Sequence, residues 1–275
     1  MSRVSLFSSL KRIATSHISR NVSLSCSNSV QFKNIVVQQT GKIYRITFNR
    51  PQKKNALTPE MYNEIVVAMK EAANGDSLLT VFTGSGDFYC SGNDLSNFAV
   101  DLSNIKQMAA DARKLLQDYV AAYVEHPKPL VALVNGPAVG ISVTVLGLFD
   151  LVYASDKAWF HTPFSNLGQS PEGISSSSFP QLMGLGKATE MLLFNKKLTP
   201  EEAHRLGLVT EVFPHQNFEK ETTRRLTEYS ELPPEPYIDH WRKVNETECS
   251  LIEGRWQSQE CLTAIAKFFT RSKAS

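Results

Sequence analysis

The sequence predicts an α/β protein whose last part is helical. Short β-branched and apolar segments alternate with helical patterns as far as residue 213, and from residue 217 on only helical patterns occur. The chain has 275 residues, of which 42% are hydrophobic and 20% charged, so it can bury a sizeable core. No run approaches the roughly 18 apolar residues that a membrane span needs, and we therefore expect none.

The first half of the chain is predicted to form strands around two long helices. Gly41 separates two runs of β-branched and aromatic residues, which indicates a turn between strands. Thr58 and Pro59 are typical of a helix N-cap and first helical position, and apolar residues at helical spacing follow until Gly75. The expected elements are, in order, strands at 34–39 and 42–48, a helix at 59–74, a strand at 78–82, a loop at 87–103 and a helix at about 104–125.

The second half is predicted to have shorter elements. Thr199-Pro-Glu-Glu202 has the pattern of a capping box, and Gly207 ends the helix that it starts. The serines Ser175–Ser178 are expected to cap a helix that carries Phe179 and Leu182. The other expected elements are a strand at 130–134, a buried helix at 141–149, a strand at 151–154, another beginning at Trp159, and a last strand at 209–213.

The first 30 residues differ in composition from the rest of the chain. They hold four basic residues, ten serines and no acidic residue. Four apolar residues between Leu6 and Ile13 would share one face of a helix, which is typical of a mitochondrial transit peptide. A disordered basic tail is the alternative. We predict three parts: a transit segment at 1–30, a core at 31–215 and a C-terminal helical region at 216–275.

Charge and motifs exclude several classes of function. Residues 1–30 account for four of the 29 basic residues and none of the 27 acidic ones, so the remainder is slightly acidic and no nucleic-acid partner is expected. Four scattered cysteines and the lack of paired histidines disfavour a disulfide scaffold or a metal site. A dinucleotide loop would need a glycine where Tyr89 stands, and neither a P-loop nor a nucleophile elbow is complete.

Two glycine-containing segments that each follow a predicted strand are candidate binding elements. They are Phe88–Leu95 and Val134–Ser142, and the second also opens a helix. Such segments leave backbone N–H groups free, and two N–H groups that point at one spot form an oxyanion hole.

Five groups of short motifs occur along the chain in a fixed order. They are Asn49-Arg50-Pro51 with Lys54-Asn55-Ala56-Leu57; Phe88 with Ser91-Gly92-Asn93-Asp94; Asn135-Gly136 with Ala138 and Gly140; Asp150; and Gly207-Leu208-Val209. In this order they resemble the crotonase family of enoyl-CoA hydratases and isomerases, over about residues 34–270. The resemblance implies a ββα superhelix core with a C-terminal helical trimerisation region, and hence a homotrimer or a dimer of trimers.

The resemblance also implies which residues bind an acyl-CoA thioester. The backbone N–H groups of Asn93 and Ile141 would form the oxyanion hole for the thioester oxygen. CoA is then part of the substrate, and no separate cofactor is expected. For the basic residues, a solvated turn is the alternative. Ser91, Gly92, Asn93, Asp94, Leu95 and Gly140 would line the acyl path, and Arg50, Lys53, Lys54 and Ala56 would border the CoA.

The resemblance further indicates the reaction. Hydratases of the family share two carboxylates, whose positions here hold Thr144 and Phe164, and neither side chain can act as a general base near neutral pH. Glu172 is an isolated acid, and the segment from Pro163 to Gly173 resembles Δ3,Δ2-enoyl-CoA isomerases of peroxisomes and mitochondria, whose single catalytic Glu lies at this position.

We therefore predict an isomerase that converts 3-enoyl-CoA to 2-trans-enoyl-CoA during oxidation of unsaturated fatty acids, with Glu172 carrying a proton from C2 to C4. The mitochondrial matrix is the expected compartment and the peroxisome the alternative. A surface-turn role for Glu172, a hydratase, an acyl-CoA hydrolase and a non-catalytic acyl-CoA-binding scaffold are the alternatives that the sequence leaves open.

Overall fold

The computed structural model describes residues 31–98 and 105–232, together with Gln259 and Thr263. The predicted transit segment and the predicted trimerisation helices beyond residue 232 lie outside these residues. Within the described ranges, no helix is both long and apolar enough to cross a membrane.

Eight strands and seven α-helices are described in these ranges. The strands are β1 (Ile35–Thr40), β2 (Ile43–Phe48), β3 (Leu79–Gly84), β4 (Leu130–Val134), β5 (Ala138–Val139), β6 (Leu151–Ser155), β7 (Phe160–His161) and β8 (Glu211–Phe213). The α-helices are α1 (Pro59–Asn74), α2 (Ile105–Val124), α3 (Ile141–Thr144), α4 (Ser175–Met183), α5 (Leu185–Leu192), α6 (Pro200–Arg205) and α7 (Phe218–Ser230).

The main sheet has six strands in the order β1-β2-β3-β4-β6-β8. Only the β1–β2 pair is antiparallel, and the other neighbours are parallel and joined through helices. A second, two-stranded parallel sheet pairs β5 with β7. The central strand β4 is buried along its whole length, as expected for a parallel strand with apolar packing on both faces. The sheet thus brings several strand exits to the same edge.

Two apolar clusters pack on the two faces of the main sheet. The larger cluster contains the buried faces of α1 and α2, and the smaller one includes Phe218 and Leu226 of α7. Helix α1 begins as predicted, because the Thr58 side chain accepts a hydrogen bond from the Met61 N–H and Pro59 occupies the first position. The capping box at Thr199 is also confirmed.

Two helical predictions in the second half differ from the structure, and one helix of the structure had no prediction. The buried helix predicted at 141–149 is α only as far as Thr144 and continues as a 3-10 turn at Val145–Leu148. Helix α5 was not predicted. The predicted serine cap is wrong, because α4 begins at Ser175 with Ile174 as its N-cap and no side-chain cap bond. The Ser175 hydroxyl donates backwards to the Glu172 carbonyl oxygen instead, at 2.7 Å.

Candidate active site

A cavity of about 480 Å³ opens among the loops that follow β2, β3, β5 and β7. Ten of the twelve residues predicted from sequence line it, and Arg50 and Lys54 do not. The lining residues are Lys53, Ala56, Ser91, Gly92, Asn93, Asp94, Leu95, Val139, Gly140, Ile141, Pro163, Phe164, Asn166, Leu167, Gln169 and Glu172.

Two loops meet at one end of this cavity. Gly92 has φ +81°, and a Cβ atom there would lie 2.6 Å from the carbonyl oxygen of Val139. The Val139 N–H donates to the Cys90 carbonyl at 2.9 Å, so a backbone hydrogen bond joins the two loops beside this contact. Only glycine accommodates both the positive φ and the close approach. The contact therefore places Asn93 on one loop beside Ile141 on the other.

The N–H groups of Asn93 and Ile141 have no hydrogen-bond acceptor among residues 31–98 and 105–232. The Leu57 N–H donates to the Gly92 carbonyl at 2.8 Å, and the Asp94 N–H donates to the Leu57 carbonyl at 3.0 Å. Alternate backbone groups of a paired segment face opposite ways, so the N–H of Asn93 turns away from Leu57. Ile141 is the first residue of α3, and its N–H has no partner inside that helix. The pair fits the predicted oxyanion hole.

Asp94 and Arg50 hold the first of these loops in shape. The Arg50 guanidinium donates to the Ala56 carbonyl and to Asp94 Oδ2, the latter at 3.0 Å. Ser96 donates to Asp94 Oδ1 from its backbone N–H and its hydroxyl, at 3.1 and 2.7 Å. The hydrogen bonds from Ser96, and then the one from Arg50, lower the pKa of Asp94. Asp94 is consequently an ionised structural group rather than a free base.

The two remaining predicted cations lie in different surroundings. Lys53 lines the cavity, whereas the Lys54 ammonium lies 5.0 Å from the centre of the Phe88 ring. A cation over an aromatic face is attracted by the ring quadrupole. The structure therefore brings one of the three predicted CoA-bordering cations, Lys53, into the cavity.

Glu172 is the chemically distinctive side chain of the cavity. Burial raises its pKa to about 7. In the described ranges its carboxylate has no hydrogen-bond donor and no ion-pair partner, unlike that of Asp94. A half-buried carboxylate with a pKa near neutrality and no partner is suited to gaining and losing a proton at physiological pH.

The turn that carries Glu172 is packed against α3 and is strained. Gly173 has φ +63°, and a Cβ atom there would lie 2.5 Å from Thr144 Oγ1. Ile174 follows with φ 62°, which is an outlier for a β-branched residue. Such strain persists only where the surroundings enforce it, and it is common at functional sites. The packing fixes Glu172 relative to Ile141, which lies on the same short helix as Thr144.

Buried neutral side chains occupy the two positions at which the family resemblance implies carboxylates for a hydratase. Thr144 is fully buried, and its hydroxyl donates to the Ile141 carbonyl at 3.2 Å. Phe164 is also buried and forms part of the cavity wall. Of the described lining residues, only Asp94 and Glu172 are acidic, and only Glu172 lacks a partner. No cluster of metal-binding side chains occurs in the part of the chain that the structure describes.

Sequence reasoning missed Tyr62 as a residue of the site. Its hydroxyl donates to Asn93 Oδ1 at 2.8 Å, across 31 residues of sequence. The helical spacing of α1 marks Tyr62 only as a buried position, because periodicity shows which face is inward but not which polar group a hydroxyl meets. The polar lining residues Asn166 and Gln169 were also missed, because no pattern along the chain shows that their loop faces the cavity.

Comparisons with known proteins identify the family of the chain. Residues 38–263 match the sequence profile of the enoyl-CoA hydratase/isomerase family. The chain is 53% identical over 250 residues to enoyl-CoA delta isomerase 2 of Rattus norvegicus, covering 87% of this chain and 64% of that protein. It is 49% identical over 254 residues to the peroxisomal enoyl-CoA delta isomerase 3 of Mus musculus, covering 88% and 80%.

A solved structure, that of an enoyl-CoA hydratase/isomerase from Pseudoalteromonas atlantica T6c, aligns with a TM-score of 0.67 and 29% identity, covering 87% of this chain and 98% of that one. The chain spans less than two thirds of the length of the rat isomerase and of its human counterpart, 64% and 65% respectively. The profile match over residues 38–263 and the fold together establish that the chain belongs to the enoyl-CoA hydratase/isomerase family, the crotonases.

Proposed function

We propose that this chain is a Δ3,Δ2-enoyl-CoA isomerase that converts 3-enoyl-CoA to 2-trans-enoyl-CoA. One observation carries the proposal: a single unpartnered carboxylate with a raised pKa, Glu172, shares a cavity with the two free N–H groups of Asn93 and Ile141. Relatives that are named enoyl-CoA delta isomerases, at 49–53% identity, support it.

The reaction needs one base and one oxyanion site. The C2 proton of a 3-enoyl-CoA is acidified by the thioester on one side and by the double bond on the other. Glu172 takes this proton, and the electron pair of the broken C–H bond spreads over a dienolate. Its negative oxygen accepts hydrogen bonds from the N–H groups of Asn93 and Ile141, each of which contributes on the order of 2.7–4 kcal/mol to transition-state stabilisation.

The same carboxyl group completes the reaction. Protonated Glu172 delivers the proton to C4, the double bond forms between C2 and C3, and the carboxylate is restored. Atoms and charge balance without water, metal or a separate cofactor. The apolar wall of the cavity, including Phe164 and Leu167, helps to keep water from the dienolate.

A set of three assays tests this proposal against the alternatives. With a 3-enoyl-CoA as substrate, we expect formation of the conjugated 2-enoyl-CoA, followed by its ultraviolet absorbance. With crotonyl-CoA, we expect neither appreciable hydration nor release of free CoA, because Thr144 and Phe164 stand where hydratases have carboxylates. Rapid hydration or CoA release without isomerisation would instead favour a hydratase or a hydrolase, and binding without turnover a scaffold.

The raised pKa of Glu172 predicts the pH dependence of the isomerase. A base must be ionised to accept the C2 proton, and burial keeps much of Glu172 protonated below its pKa of about 7. We expect kcat/KM to rise with pH through about 7 and then to level off. Initial rates between pH 5 and pH 9 measure this profile. A profile that is flat from pH 5, as for an exposed carboxylate, would contradict the assignment of Glu172 as the base.

We also propose that the chain forms a homotrimer or a dimer of trimers through exposed apolar side chains of α4, of α5 and of the two residues that follow α5. Leu185 and Phe194 are 73% and 75% exposed, and Leu182 and Leu193 are also exposed.

Light scattering of the full chain should give three or six times its mass of 30.7 kDa. Leu185→Glu should lower this mass, because a carboxylate on an apolar contact is costly to desolvate. Val67→Glu, at an exposed position of α1, serves as the control, and a monomeric wild type would contradict the proposal.

The compartment stays a prediction. The acid-free composition of residues 1–30 favours import into the mitochondrial matrix, but these residues lie outside the described part of the chain. The mouse relative is named as peroxisomal, which supports the peroxisome as the alternative. Both compartments suit an enzyme of fatty-acid oxidation.

A further inference from the structure

The Tyr62 hydroxyl lies directly behind the loop that carries the first oxyanion donor. Tyr62 belongs to the first turns of α1, and its side chain is only 3% exposed. Its hydroxyl donates to Asn93 Oδ1 at 2.8 Å. Leu57, just before α1, pairs with the backbone on both sides of Asn93. Asn93 is therefore held from two directions, through its backbone by Leu57 and through its side chain by Tyr62.

The Tyr62 ring is fixed by a cluster of buried tyrosines. Its centre lies 4.6 Å from that of Tyr119 at an interplanar angle of 89°, and Tyr119 packs in turn against Tyr123 at 5.0 Å. Edge-to-face contacts of this kind are favourable and restrict ring motion. The Tyr123 hydroxyl donates to the Tyr119 hydroxyl at 2.8 Å. The cluster leaves the Tyr62 hydroxyl aimed at Asn93 as its hydrogen-bond partner.

The Tyr62 hydroxyl keeps the proton that it donates. Burial, and then the negative charge of Glu172, raise the pKa of Tyr62 well above its ordinary value. The hydroxyl therefore remains protonated and donates to Asn93 Oδ1 at every pH at which the enzyme would work. With Oδ1 occupied, the Asn93 amide presents its Nδ2 hydrogens elsewhere, and they meet no acceptor among residues 31–98 and 105–232.

We propose that Tyr62 is a positioning residue that, through the Asn93 side chain, fixes the Asn93 N–H on the developing thioester oxyanion. The proposal rests on the isomerase function proposed above. The Leu57 N–H holds the Gly92 carbonyl of the same peptide unit at 2.8 Å, and the Tyr62 bond adds a second restraint through the Asn93 side chain. An oxyanion donor acts by being aligned before charge develops, so a small misalignment weakens the transition state more than the bound substrate.

The first test is removal of one oxygen atom. Tyr62→Phe keeps the ring and its packing but loses the bond to Asn93, and we expect kcat to fall about tenfold with KM within about twofold, in line with the loss of one neutral hydrogen bond. Tyr123→Phe is the matched control, because it removes a hydroxyl bond of the same length, 2.8 Å, from the same cluster without contacting the cavity. Equal effects of the two variants on kcat would mean that the cluster matters only for folding, and would overturn the proposal.

A double-mutant cycle tests whether Tyr62 acts through Asn93. Asn93→Ala keeps the backbone N–H but removes Oδ1, and alone it should lower kcat by a similar factor. In that background we expect Tyr62→Phe to have almost no further effect, because the bond is already absent. A full tenfold effect of Tyr62→Phe in both backgrounds would show that Tyr62 acts independently of Asn93, against the proposal.

A readout without turnover separates this proposal from the proposed function. The enolate of acetoacetyl-CoA presents a negative oxygen to the same N–H groups, and its ultraviolet absorbance reports the bound form. We expect Tyr62→Phe to reduce the affinity for this enolate about tenfold, since a weakened oxyanion contact acts on this ligand directly. If the wild type fails to isomerise 3-enoyl-CoA but Tyr62→Phe binds the enolate more weakly than the wild type does, the isomerase function is wrong and the positioning role stands. If the wild type isomerises and Tyr62→Phe matches it in kcat and enolate binding, the positioning role is wrong.

Discussion

Glu172→Gln is expected to lower kcat for 3-enoyl-CoA isomerisation by about 10³-fold, within the range that a general acid or base contributes. Glutamine has nearly the same shape as glutamate but cannot take the C2 proton. Of the described lining residues only Asp94 and Glu172 are acidic, and the Asp94 carboxylate already accepts hydrogen bonds from Arg50 and Ser96. No described neighbour can therefore replace Glu172 as the base. Initial rates measured at pH 8 with saturating substrate test this expectation.

The same variant should remain folded and gain stability at alkaline pH. The pKa of Glu172 is raised from its ordinary 4.5 to about 7 in the folded chain, so its carboxyl group favours folding while protonated and costs stability once it ionises. Stability from this group declines as pH rises from about 4.5 to 7, and Glu172→Gln should therefore raise Tm more at pH 8 than at pH 5. Glu125→Gln, at an exposed position after α2, is the control for both measurements. Isomerisation by Glu172→Gln at a rate near that of the wild type would exclude Glu172 as the base.

Gly92→Ala is expected to lower kcat by about 10²- to 10³-fold, which is the cost of losing one oxyanion donor. A Cβ at this position would lie 2.6 Å from the Val139 carbonyl oxygen, which is backbone and cannot rotate away. The loops that carry Asn93 and Ile141 would have to separate. Because substrate binding also depends on the wider cavity wall, KM should change less than kcat.

Gly41→Ala separates the effect of the contact from the effect of the backbone angle. Gly41 also has a positive φ, +57°, but no atom lies within 4 Å of a Cβ built there. This variant should cost about 1 kcal/mol of stability through the left-handed conformation alone and leave kcat unchanged. If Gly92→Ala behaves like Gly41→Ala, with a lower Tm and normal turnover, the close approach of the two loops is unimportant for the reaction.

Local sequence signals predicted most of the elements because their causes are local. The Thr58-Pro59 start of α1 and the capping box at Thr199 depend on side chains bonding to the next few backbone N–H groups. The strand at 130–134 was placed correctly because a fully buried parallel strand is a continuous apolar run. The predicted serine cap was wrong because a serine hydroxyl can donate to a preceding carbonyl oxygen instead of accepting from a following N–H. Ser175 does the former, after a turn in which Gly173 and Ile174 both have positive φ.

The motifs that resemble the crotonase family have physical roles that sequence could not show. The Asn55 side chain donates to the carbonyl oxygens of Ser85 and Phe88, at 2.9 and 2.8 Å, and so joins the loops after β2 and β3. A Cβ at Gly136 would overlap the Asp87 carbonyl oxygen, so glycine is needed for the backbones to pass. Neither Asn55 nor Gly136 is among the residues that line the cavity.

The sequence by itself determined the alternation of strands and helices, the order of the family motifs and the isolation of Glu172 among neutral residues. Each of these is a property of neighbours along the chain. Only the tertiary structure decided that Arg50 turns to Asp94, that Tyr62 reaches Asn93, and that the loops of Asn93 and Ile141 meet. Side-chain partners across a fold depend on how elements pack, and so does the burial that raises the pKa of Glu172 to about 7.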